Sequence, residues 1–394
     1  PHYDEPYDSR EGPVDQWYLP KISAPAAWDT LKGTHSNIRL AIIDTGIDYT
    51  HPDLKNLMAR DSKGTMVGKS FIRGKPDYLD DNGHGTHCAG IANAETDNNT
   101  GVAGVGFNSF RLVAAKVLTG KGFGQVDWIS NAITWCADNG CRVESMSLGG
   151  GSYSQAMQDA VNYAWKKHVL VIAAAGNSRS PAPGYPAGNN HVVAVSATDR
   201  DDRLAVFSNY GTPISVGAPG VSILATMPTY ECDLSRRGLK LNYDSLAGTS
   251  MACPVVAGTF AALLAYQPSL TPTEAVQRVE QTADNTASAP NGGWEMQFGH
   301  GRVNLSNALL NNTRQALVGC FYGQVTNSRG GALMGAAVKC GGRQVQTRDD
   351  GMFRIANLAP GSYTVDATVD GKSTSEKATI VAGADVNVTI QAGK

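Results

Sequence analysis

The sequence predicts an α/β fold with a doubly wound, mostly parallel sheet, followed by a small all-β sandwich domain. From residue 37 to about 310, short apolar runs that end in small or polar residues alternate with helical patterns. After residue 312 the helical period disappears, and short alternating segments are separated by Gly, Asp-Asp-Gly and Pro-Gly. A chain of 394 residues is long enough for two or three domains. We therefore place one domain with an N-terminal arm at 1–312 and the sandwich at 313–394.

Apolar runs and helical spacing define the elements of the first domain. The candidate strands of the sheet are, in order, IRLAIID, LVAAKVL, VESMSL, VLVIAAAGN, VVAVSAT and ISVGAPG. Apolar residues at three- and four-residue spacings predict helices over 128–139 and 154–168, and a longer apolar helix follows the glycine turn near residue 248. Ligands of such sheets bind beyond the carboxyl ends of the strands. Polar residues that end the apolar runs are therefore the candidate site residues.

Composition excludes some classes of partner. Lys and Arg number 33 against 35 Asp and Glu, and this net charge of −2 provides no basic field for a nucleic acid. The uninterrupted apolar runs are much shorter than the roughly 18 to 20 residues of a membrane span, so no membrane partner is expected. The opening PHYDEPYDSREG has neither a basic start nor an apolar core. A secretory signal has therefore either been removed or never existed.

Cysteine spacing suggests two short disulfide loops. Cys136 with Cys141, and Cys320 with Cys340, could each close such a loop in an oxidising compartment. A disulfide of this kind would stabilise the sandwich domain, which is too small to bury much apolar surface. The total of seven is odd, so at least one thiol is expected to be free. Buried reduced cysteines in a cytosolic protein are the alternative.

An aspartate and a histidine lie where a doubly wound sheet places its functional residues, at the end of a strand and in a glycine turn before a helix. Asp44 ends the apolar run LAII, and a buried carboxylate without a partner is costly. A single Asp after a strand is most often a turn or cap residue. His84 lies in NGHGTHCAG, where glycines allow a tight turn, and an imidazole beside a carboxylate can move a proton near neutral pH.

A metal site is the competing interpretation of the histidines. His84 and His87 are three residues apart, but the Glu of H-E-x-x-H is absent and no third ligand lies nearby. Zinc is therefore the weaker hypothesis. We interpret His87 as a structural histidine inside the helix.

A serine and an asparagine complete a set of groups for acyl transfer. Ser250 follows a glycine turn and opens a helix with Pro254 in its first turn. A serine there is usually an N-cap, but as a nucleophile it would gain from the helix dipole and from its own N–H as an oxyanion donor. Asn177, after VLVIAAAG, offers a second donor. An α/β-hydrolase would need G-x-S-x-G, which the chain lacks.

Five sequence blocks carry a resemblance to a known family. DTGIDYTHPDL, GHGTHCAGIA, SLGG, AAAGN and GTSMACP resemble the signature blocks of the subtilisin-like serine proteases, over about residues 5–310. The resemblance implies Asp44, His84 and Ser250 as the catalytic triad and Asn177 as the oxyanion side chain. It also implies a secreted, monomeric endopeptidase that acts on protein or peptide substrates and is made with a propeptide.

The resemblance also implies a substrate groove. Glycine-rich edges in SLGGG and GKGFGQV can accept an extended peptide as an added strand. The residues assigned to substrate binding are Gly122, Gly124, Val126, Ile129, Ser147, Leu148, Gly149 and Gly184. Gly184 would leave a deep apolar slot for large apolar or aromatic side chains. Val126, Ile129 and Leu148 would line a second pocket, with ordinary core as the alternative.

A structural calcium ion is expected near the N-terminus. Asp53 and the loop ETDNNTGV offer hard oxygen ligands, which favour calcium over zinc. The resemblance implies the ligand set Glu5, Asp53, Glu95, Asn98, Thr100 and Val102, with Asp4 as an alternative to Glu5. Ser70 and Arg73 stand where some members have the ligands of a second calcium loop. This argues against a second site through Asp77, Asp80 and Asp81.

The C-terminal segment leaves a second function open. TRDDGMFRIANLAPGSYTVDATVDG resembles the carboxypeptidase regulatory-like β-sandwich domains. Such a domain could support folding, adhere to substrate or attach the protein to a surface. The alternative for the whole chain is a non-catalytic binding protein that uses the sandwich and carries an inactive first domain. The four catalytic candidates, all present, argue against it.

Overall fold

The computed structural model describes residues 7–9, 12–150, 152–286, 294–312, 319–347, 350–381 and 385–392, with side chains from residue 15 onward except at 356, 357 and 385. The expected calcium ligand Glu5 and its alternative Asp4 lie outside the described residues. The expected domain boundary, between residues 312 and 313, also lies at the edge of the described residues, since 313–318 are not described.

The first domain contains helices and strands in alternation. Its strands are β1 Tyr7–Ser9, β2 Gly12–Val14, β3 Arg39–Asp44, β4 Gly68–Ser70, β5 Arg111–Lys116, β6 Cys141–Met146, β7 Leu170–Ala174, β8 Val192–Thr198, β9 Ile214–Pro219, β10 Ile223–Thr226 and β11 Tyr243–Leu246. Its helices are α1 Tyr18–Lys21, α2 Ala24–Leu31, α3 His84–Asn93, α4 Val126–Asp138, α5 Gln155–Lys166, α6 Asp233–Arg236, α7 Thr249–Tyr266, α8 Pro272–Thr282 and α9 Leu305–Leu310.

The central sheet is parallel and buried on both faces. Its order is β4-β5-β3-β6-β7-β8-β9, and every neighbouring pair is parallel. Leu40 and Ile42 of β3 belong to the core under α3 and α7, whereas Ala41 and Ile43 belong to the core under α4 and α5. Burial of both faces explains the continuous apolar runs of the sequence. The predicted doubly wound fold is confirmed.

Helix α7 passes through the middle of this domain. It has 18 residues and is apolar enough to cross a membrane by length and composition alone, and it is the one such helix among the described residues. The helix itself was predicted from the sequence, but its length as an apolar segment was not, because Thr, Gly and Pro interrupt its apolar runs. Within the fold 89% of its apolar window is buried. Its position is therefore that of a core helix.

The C-terminal segment forms two sheets that face each other. Its strands are β12 Gly319–Thr326, β13 Ala337–Cys340, β14 Arg343–Gln346, β15 Met352–Leu358, β16 Gly361–Val369, β17 Lys372–Ile380 and β18 Asp385–Gln391. One sheet has the order β15-β12-β18 and the other β14-β13-β16-β17. Phe321 and Phe353 from the first sheet pack with Val338, Val365 and Ile380 from the second. The predicted small β-sandwich is confirmed.

The two expected disulfides are not formed in the structure. All seven cysteines lie within the described ranges, and all are buried residues outside any disulfide. Cys340 packs into the sandwich core, whereas Cys320 lines a cavity between the domains, so these side chains face different surroundings. Cys136 and Cys141 lie together in the core under α4, where burial raises the pKa of the Cys136 thiol. Sequence spacing therefore predicted that Cys136 and Cys141 are neighbours, but not that Cys320 and Cys340 have different surroundings.

The sandwich contacts the first domain at the edge of the sheet opposite Asp44. His191, just before β8, stacks on Trp165 with ring centroids 4.5 Å apart and meets Tyr322 of the sandwich at 4.8 Å. Arg354 of the sandwich lies 3.4 Å from the buried carboxylate of Glu280. Asp44 ends β3 at the carboxyl edge of the sheet, whereas His191 precedes a strand at the amino edge. The docked domain therefore leaves the carboxyl edge open.

Acid is expected to weaken this contact. Burial, together with the nearby Arg354 guanidinium, lowers the pKa of His191 to about 4. The docked imidazole is thus neutral, whereas an unfolded one titrates near 6.5. The contribution of His191 to the free energy of unfolding is fully present above pH 6.5. It is lost as the pH falls towards 4, by at most roughly 3 kcal/mol.

Thermal unfolding between pH 7 and 4.5 checks this expectation. His191→Phe keeps an aromatic ring at the interface and removes the titration, so its unfolding temperature should fall less on acidification than that of the natural protein. The matched control is His35→Phe at an exposed histidine, which should behave like the natural protein. Equal acid sensitivity of the natural protein and His191→Phe would contradict the expectation.

Candidate active site

Asp44 and His84 meet at the carboxyl edge of the sheet. Asp44 is the last residue of β3 and its side chain is fully buried, while His84 is the first residue of α3. The His84 Nδ1 donates to Asp44 Oδ1 over 2.8 Å, and the Thr45 N–H donates to the same oxygen over 2.7 Å. Gly85 makes the approach possible, because a Cβ there would collide with the carbonyl oxygen of Gly46. The local sequence thus joins a carboxylate to one nitrogen of an imidazole.

Asp80 holds the loop that leads to His84, a role that the sequence did not reveal. Its Oδ1 accepts from the N–H groups of Asn82 and Gly83 at 3.0 and 2.9 Å and from Thr45 Oγ1 at 2.8 Å. Its Oδ2 accepts from the N–H and hydroxyl of Thr86 at 2.9 and 2.7 Å. Hydrogen bonds to both oxygens fix the start of α3 relative to the turn after β3.

The surroundings of His84 favour its charged form. Burial lowers the pKa of the imidazole, but the Asp44 charge and hydrogen bond raise it, and the pKa ends well above its usual value. Only the neutral ring can accept a proton from a hydroxyl. Proton transfer to His84 is therefore favoured at alkaline pH.

His87 occupies a different environment. Its ring is buried, and its Nε2 lies within hydrogen-bond distance of the backbone carbonyl of Asp244, at 3.1 Å. Burial lowers the pKa of His87 to about 3. A neutral ring bound to a carbonyl within the fold is the placement of a structural histidine. It gives the zinc hypothesis no support.

Ser250 lies in the first turn of α7 and does not cap the helix. The N-cap is Gly248, and no side chain caps this helix. The Ser250 hydroxyl donates to Ser147 O over 3.3 Å rather than to His84. Cys88 lies near both residues, with its Sγ 4.0 Å from His84 Nδ1 and 3.5 Å from the backbone carbonyl oxygen of Ser250. Catalytic hydrogen bonds are often long or poorly aligned without substrate.

Asn177 is oriented by the residue before Ser250. Its Oδ1 accepts from both the N–H and the hydroxyl of Thr249, each over 2.9 Å. This leaves the amide nitrogen as the free donor end of the side chain. Asn177 and Ser250 line the same cavity. The arrangement suits a hydrogen bond to an oxygen that becomes negative beside Ser250.

Two cavities flank Ser147 and Leu148, and they contain all the predicted substrate-binding residues. The first, of about 530 Å³, is lined by Ser250, Asn177, Ser147, Leu148, Gly149 and Gly184 among others. The second, of about 370 Å³, is lined by His84, Gly122, Gly124, Val126, Ile129, Ser147, Leu148 and Gly149 among others. A Cβ at Gly184 would lie 3.5 Å from Ala175 O, within the wall of the first cavity. The predicted residues are therefore brought together.

Other residues of these cavities were not predicted. Leu118, Tyr185 and Leu234 line the second cavity, and Asn209 lines the first. Asn209 Nδ2 donates to Ala175 O over 2.9 Å, and its Oδ1 accepts from the N–H of Ser178 over 2.9 Å. Nothing in the sequence around Asn209 distinguishes it from an ordinary loop residue. Leu234 lies in a segment without apolar periodicity.

The candidate calcium ligands are partly assembled. Asp53 is buried, and its two oxygens accept from Asn98 Nδ2 over 2.8 Å and from the Val102 N–H over 3.0 Å. Asn98 Oδ1 accepts from the Thr100 N–H over 3.0 Å, whereas the Glu95 carboxylate points to Asn56 Nδ2 at 2.8 Å. Burial raises the pKa of Asp53, so its charged form would gain from a cation. This oxygen-rich set fits calcium, and rotation of the Asn98 amide would present its oxygen.

The second calcium site gains no support. The carboxylate oxygens of Asp80 are used in the loop before α3, as described above. Asp81 pairs with Lys75 at 3.0 Å and with Lys116 at 2.5 Å, and Asp77 accepts from Tyr49 OH at 3.3 Å. These carboxylates do not converge on one point.

Comparison with known proteins defines the class. Residues 35–301 match the subtilase family, and residues 321–393 match the carboxypeptidase regulatory-like domain. The chain belongs to the subtilase family.

Individual relatives cover different parts of the chain. It is 44% identical over 283 residues to a thermophilic serine proteinase of Bacillus sp. (strain AK1), which is 72% of this chain and 64% of that protein. It is 41% identical over 290 residues to thermitase of Thermoactinomyces vulgaris, which is 73% of this chain and 94% of thermitase. Fervidolysin from Fervidobacterium pennivorans, described as a keratinolytic enzyme related to subtilisin, is similar with a TM-score of 0.73 and 26% identity, over 95% of this chain and 63% of that one. The chain therefore spans less than two thirds of the first and third of these relatives.

Proposed function

We propose that the chain is a secreted endopeptidase that hydrolyses peptide bonds through an acyl-enzyme formed on Ser250. The observation that carries the proposal is the 2.8 Å hydrogen bond from His84 to the buried Asp44, at the edge of the cavities that Ser250 and His84 line. Asp44 would hold the imidazole in the tautomer whose other nitrogen can accept a proton. Asn177 and the Ser250 N–H would bind the oxyanion.

Each bond or proton transfer of the proposed reaction is carried out by a residue of this site. Ser250 Oγ attacks the peptide carbonyl, and His84 takes the hydroxyl proton. The tetrahedral oxyanion collapses, the C–N bond breaks, and His84 returns the proton to the leaving amine. Water then attacks the ester with His84 again as the base, and the acid product leaves with Ser250 restored.

The first cavity supports a preference for a large side chain before the scissile bond. Gly184 contributes no side chain to a space of about 530 Å³ beside Ser250. Apolar burial in such a slot stabilises an aromatic or leucine side chain by roughly 1.5 to 3 kcal/mol. We therefore expect cleavage after large apolar or aromatic residues.

Digestion of casein, followed by sequencing of the fragments, tests this function. The proposal predicts internal cleavage and new C-termini rich in Phe, Tyr and Leu. Binding of casein without any cleavage would instead favour the alternative, a non-catalytic protein that uses the sandwich domain. Cleavage without a preference at the new C-termini would contradict the assignment of Gly184.

A structural calcium ion at Asp53, Asn98 and the loop to Val102 belongs to the same proposal, with Glu5 as the N-terminal ligand. Such an ion would neutralise the buried Asp53 carboxylate. An ion that binds only the folded state stabilises it by about 2.7 kcal/mol when its free concentration is 100 times the Kd.

Chelation should therefore shorten the lifetime of the activity at elevated temperature. The rate of inactivation is measured with calcium and with EGTA. Asp53→Asn should reduce the difference between the two rates, whereas Asp159→Asn, at an exposed position on α5, should leave it unchanged. A natural protein that has demonstrably lost its calcium and still inactivates at the original rate would contradict the site.

Secretion, a propeptide during maturation and a monomeric state complete the proposal, with a domain boundary between residues 312 and 313. The position of the sandwich supports this boundary. It contacts the amino edge of the sheet, and none of the described residues that line the two cavities comes from it.

A further inference from the structure

A segment between β10 and β11 has no role in the proposed mechanism. We call residues 228–242 of this segment the insertion; it contains the short helix α6 and lies against the loop that leads to His84. The Tyr230 hydroxyl donates to Asp80 O over 2.9 Å. The Asp233 N–H donates to Asp81 O over 3.2 Å, and the Leu234 N–H donates to Asn82 O over 3.0 Å. Three successive residues of the loop are thus bound by the insertion.

The insertion also reaches the opposite side of the second cavity. The Asp233 carboxylate, which is 4% exposed, lies 2.5 Å from Lys121 Nζ and 2.6 Å from an Arg237 nitrogen. Lys121 precedes Gly122, which lines this cavity from the glycine-rich edge. Cys232 is buried, and its N–H donates to Ser235 Oγ over 2.8 Å. The insertion is therefore fixed at both sides of the cavity.

One apolar side chain of the insertion enters the cavity. Leu234 lines it together with His84, Leu118 and Gly122. Gly83 is the residue directly before His84. The Leu234 Cδ1 lies 3.5 Å from the point that a Cβ on Gly83 would occupy. Val126 and Ile129 line the same cavity from α4. Leu234 therefore forms the wall at the His84 end.

We propose that Leu234 determines which substrate side chain is accepted at one position of the peptide. This position directly precedes the residue whose carbonyl group Ser250 attacks. The inference rests on the proposed function and concerns only its specificity. A peptide paired with the glycine-rich edge directs successive side chains to opposite sides. With its scissile carbonyl at Ser250 and one large side chain in the first cavity, it places the preceding side chain beside His84. Leu234 narrows this space, so a small apolar side chain fits and an aromatic one is disfavoured.

Two peptides test the proposal. Both carry Phe before the scissile bond, and they differ only in the preceding residue, which is Ala in one and Phe in the other. Leu234→Ala enlarges the pocket, so the ratio of kcat/KM for the Phe peptide to that for the Ala peptide should rise about tenfold. Leu241→Ala is the matched control, because Leu241 is an exposed leucine of the same insertion, and its ratio should match that of the natural protein.

The outcomes separate this inference from the proposed function. An unchanged ratio in an active Leu234→Ala protein overturns the inference alone, and so does an equal shift in Leu241→Ala, which would mean a general loosening of the insertion. Cleavage of neither peptide by the natural protein would overturn the proposed function instead. If Leu234→Ala does not fold, Leu234→Val gives the same comparison with an expected shift of about threefold.

Discussion

Replacing Ser250 by alanine is expected to lower the turnover number by several powers of ten, on the order of 10⁶, the magnitude known from subtilisin when its serine is removed. The hydroxyl is the nucleophile of the proposed reaction, so its removal prevents formation of the acyl-enzyme on this residue. The fold should persist, because the hydroxyl makes one hydrogen bond of 3.3 Å, to Ser147 O. The measurement is kcat on a chromogenic peptide, together with the unfolding temperature.

Ser62→Ala provides the matched control, since Ser62 is exposed and far from the site in sequence. It should retain the activity of the natural protein. A folded Ser250→Ala protein with comparable proteolysis would contradict the assignment of the nucleophile.

Replacing Asp44 by asparagine is expected to lower kcat on the order of 10⁴. Asp44 Oδ1 accepts the Nδ1 proton of His84, whereas an amide nitrogen at that place would favour the other tautomer of the ring. The substitution also removes the charge that raises the pKa of His84.

The pH dependence of kcat/KM reports this second effect. Only the neutral imidazole accepts the serine proton, so activity is complete above the pKa of His84 and is lost as the pH falls through it. In Asp44→Asn the acid limb of the residual activity should move to lower pH, while Asp29→Asn, at an exposed position on α2, should leave the limb in place. An acid limb that does not move in Asp44→Asn would contradict the role of Asp44.

Local sequence pattern predicted six of the seven strands of the central sheet and identified the four catalytic candidates. Continuous apolar runs identify strands buried on both faces, and Asp44 and Asn177 follow two of these runs. Glycines on both sides of His84 and before Ser250 mark the turns from which α3 and α7 begin. These features depend on residues that are neighbours along the chain, and for that reason they can be predicted from the sequence.

Features that depend on distant contacts were not readable. The strand β4 consists of Gly68–Ser70 and has no apolar run, since its place at the edge is set by pairing with β5. The hydrogen bond from Thr45 to Asp80 and the position of Leu234 beside Gly83 both join segments that the sequence separates. The expected bridge between Cys320 and Cys340 is not formed for the same reason, because Cys340 packs into the sandwich core whereas Cys320 lines the cavity between the domains.

The most direct test of the central claim is to map the site of covalent modification by a serine-directed fluorophosphonate. The natural protein is treated with a small molar excess, and residual activity on casein is measured in parallel with peptide mass mapping. The account predicts one phosphonyl group per chain, located on Ser250, and a loss of activity in proportion to its incorporation. Modification of a different residue that abolishes the activity, or full activity in protein labelled completely at Ser250, would contradict it.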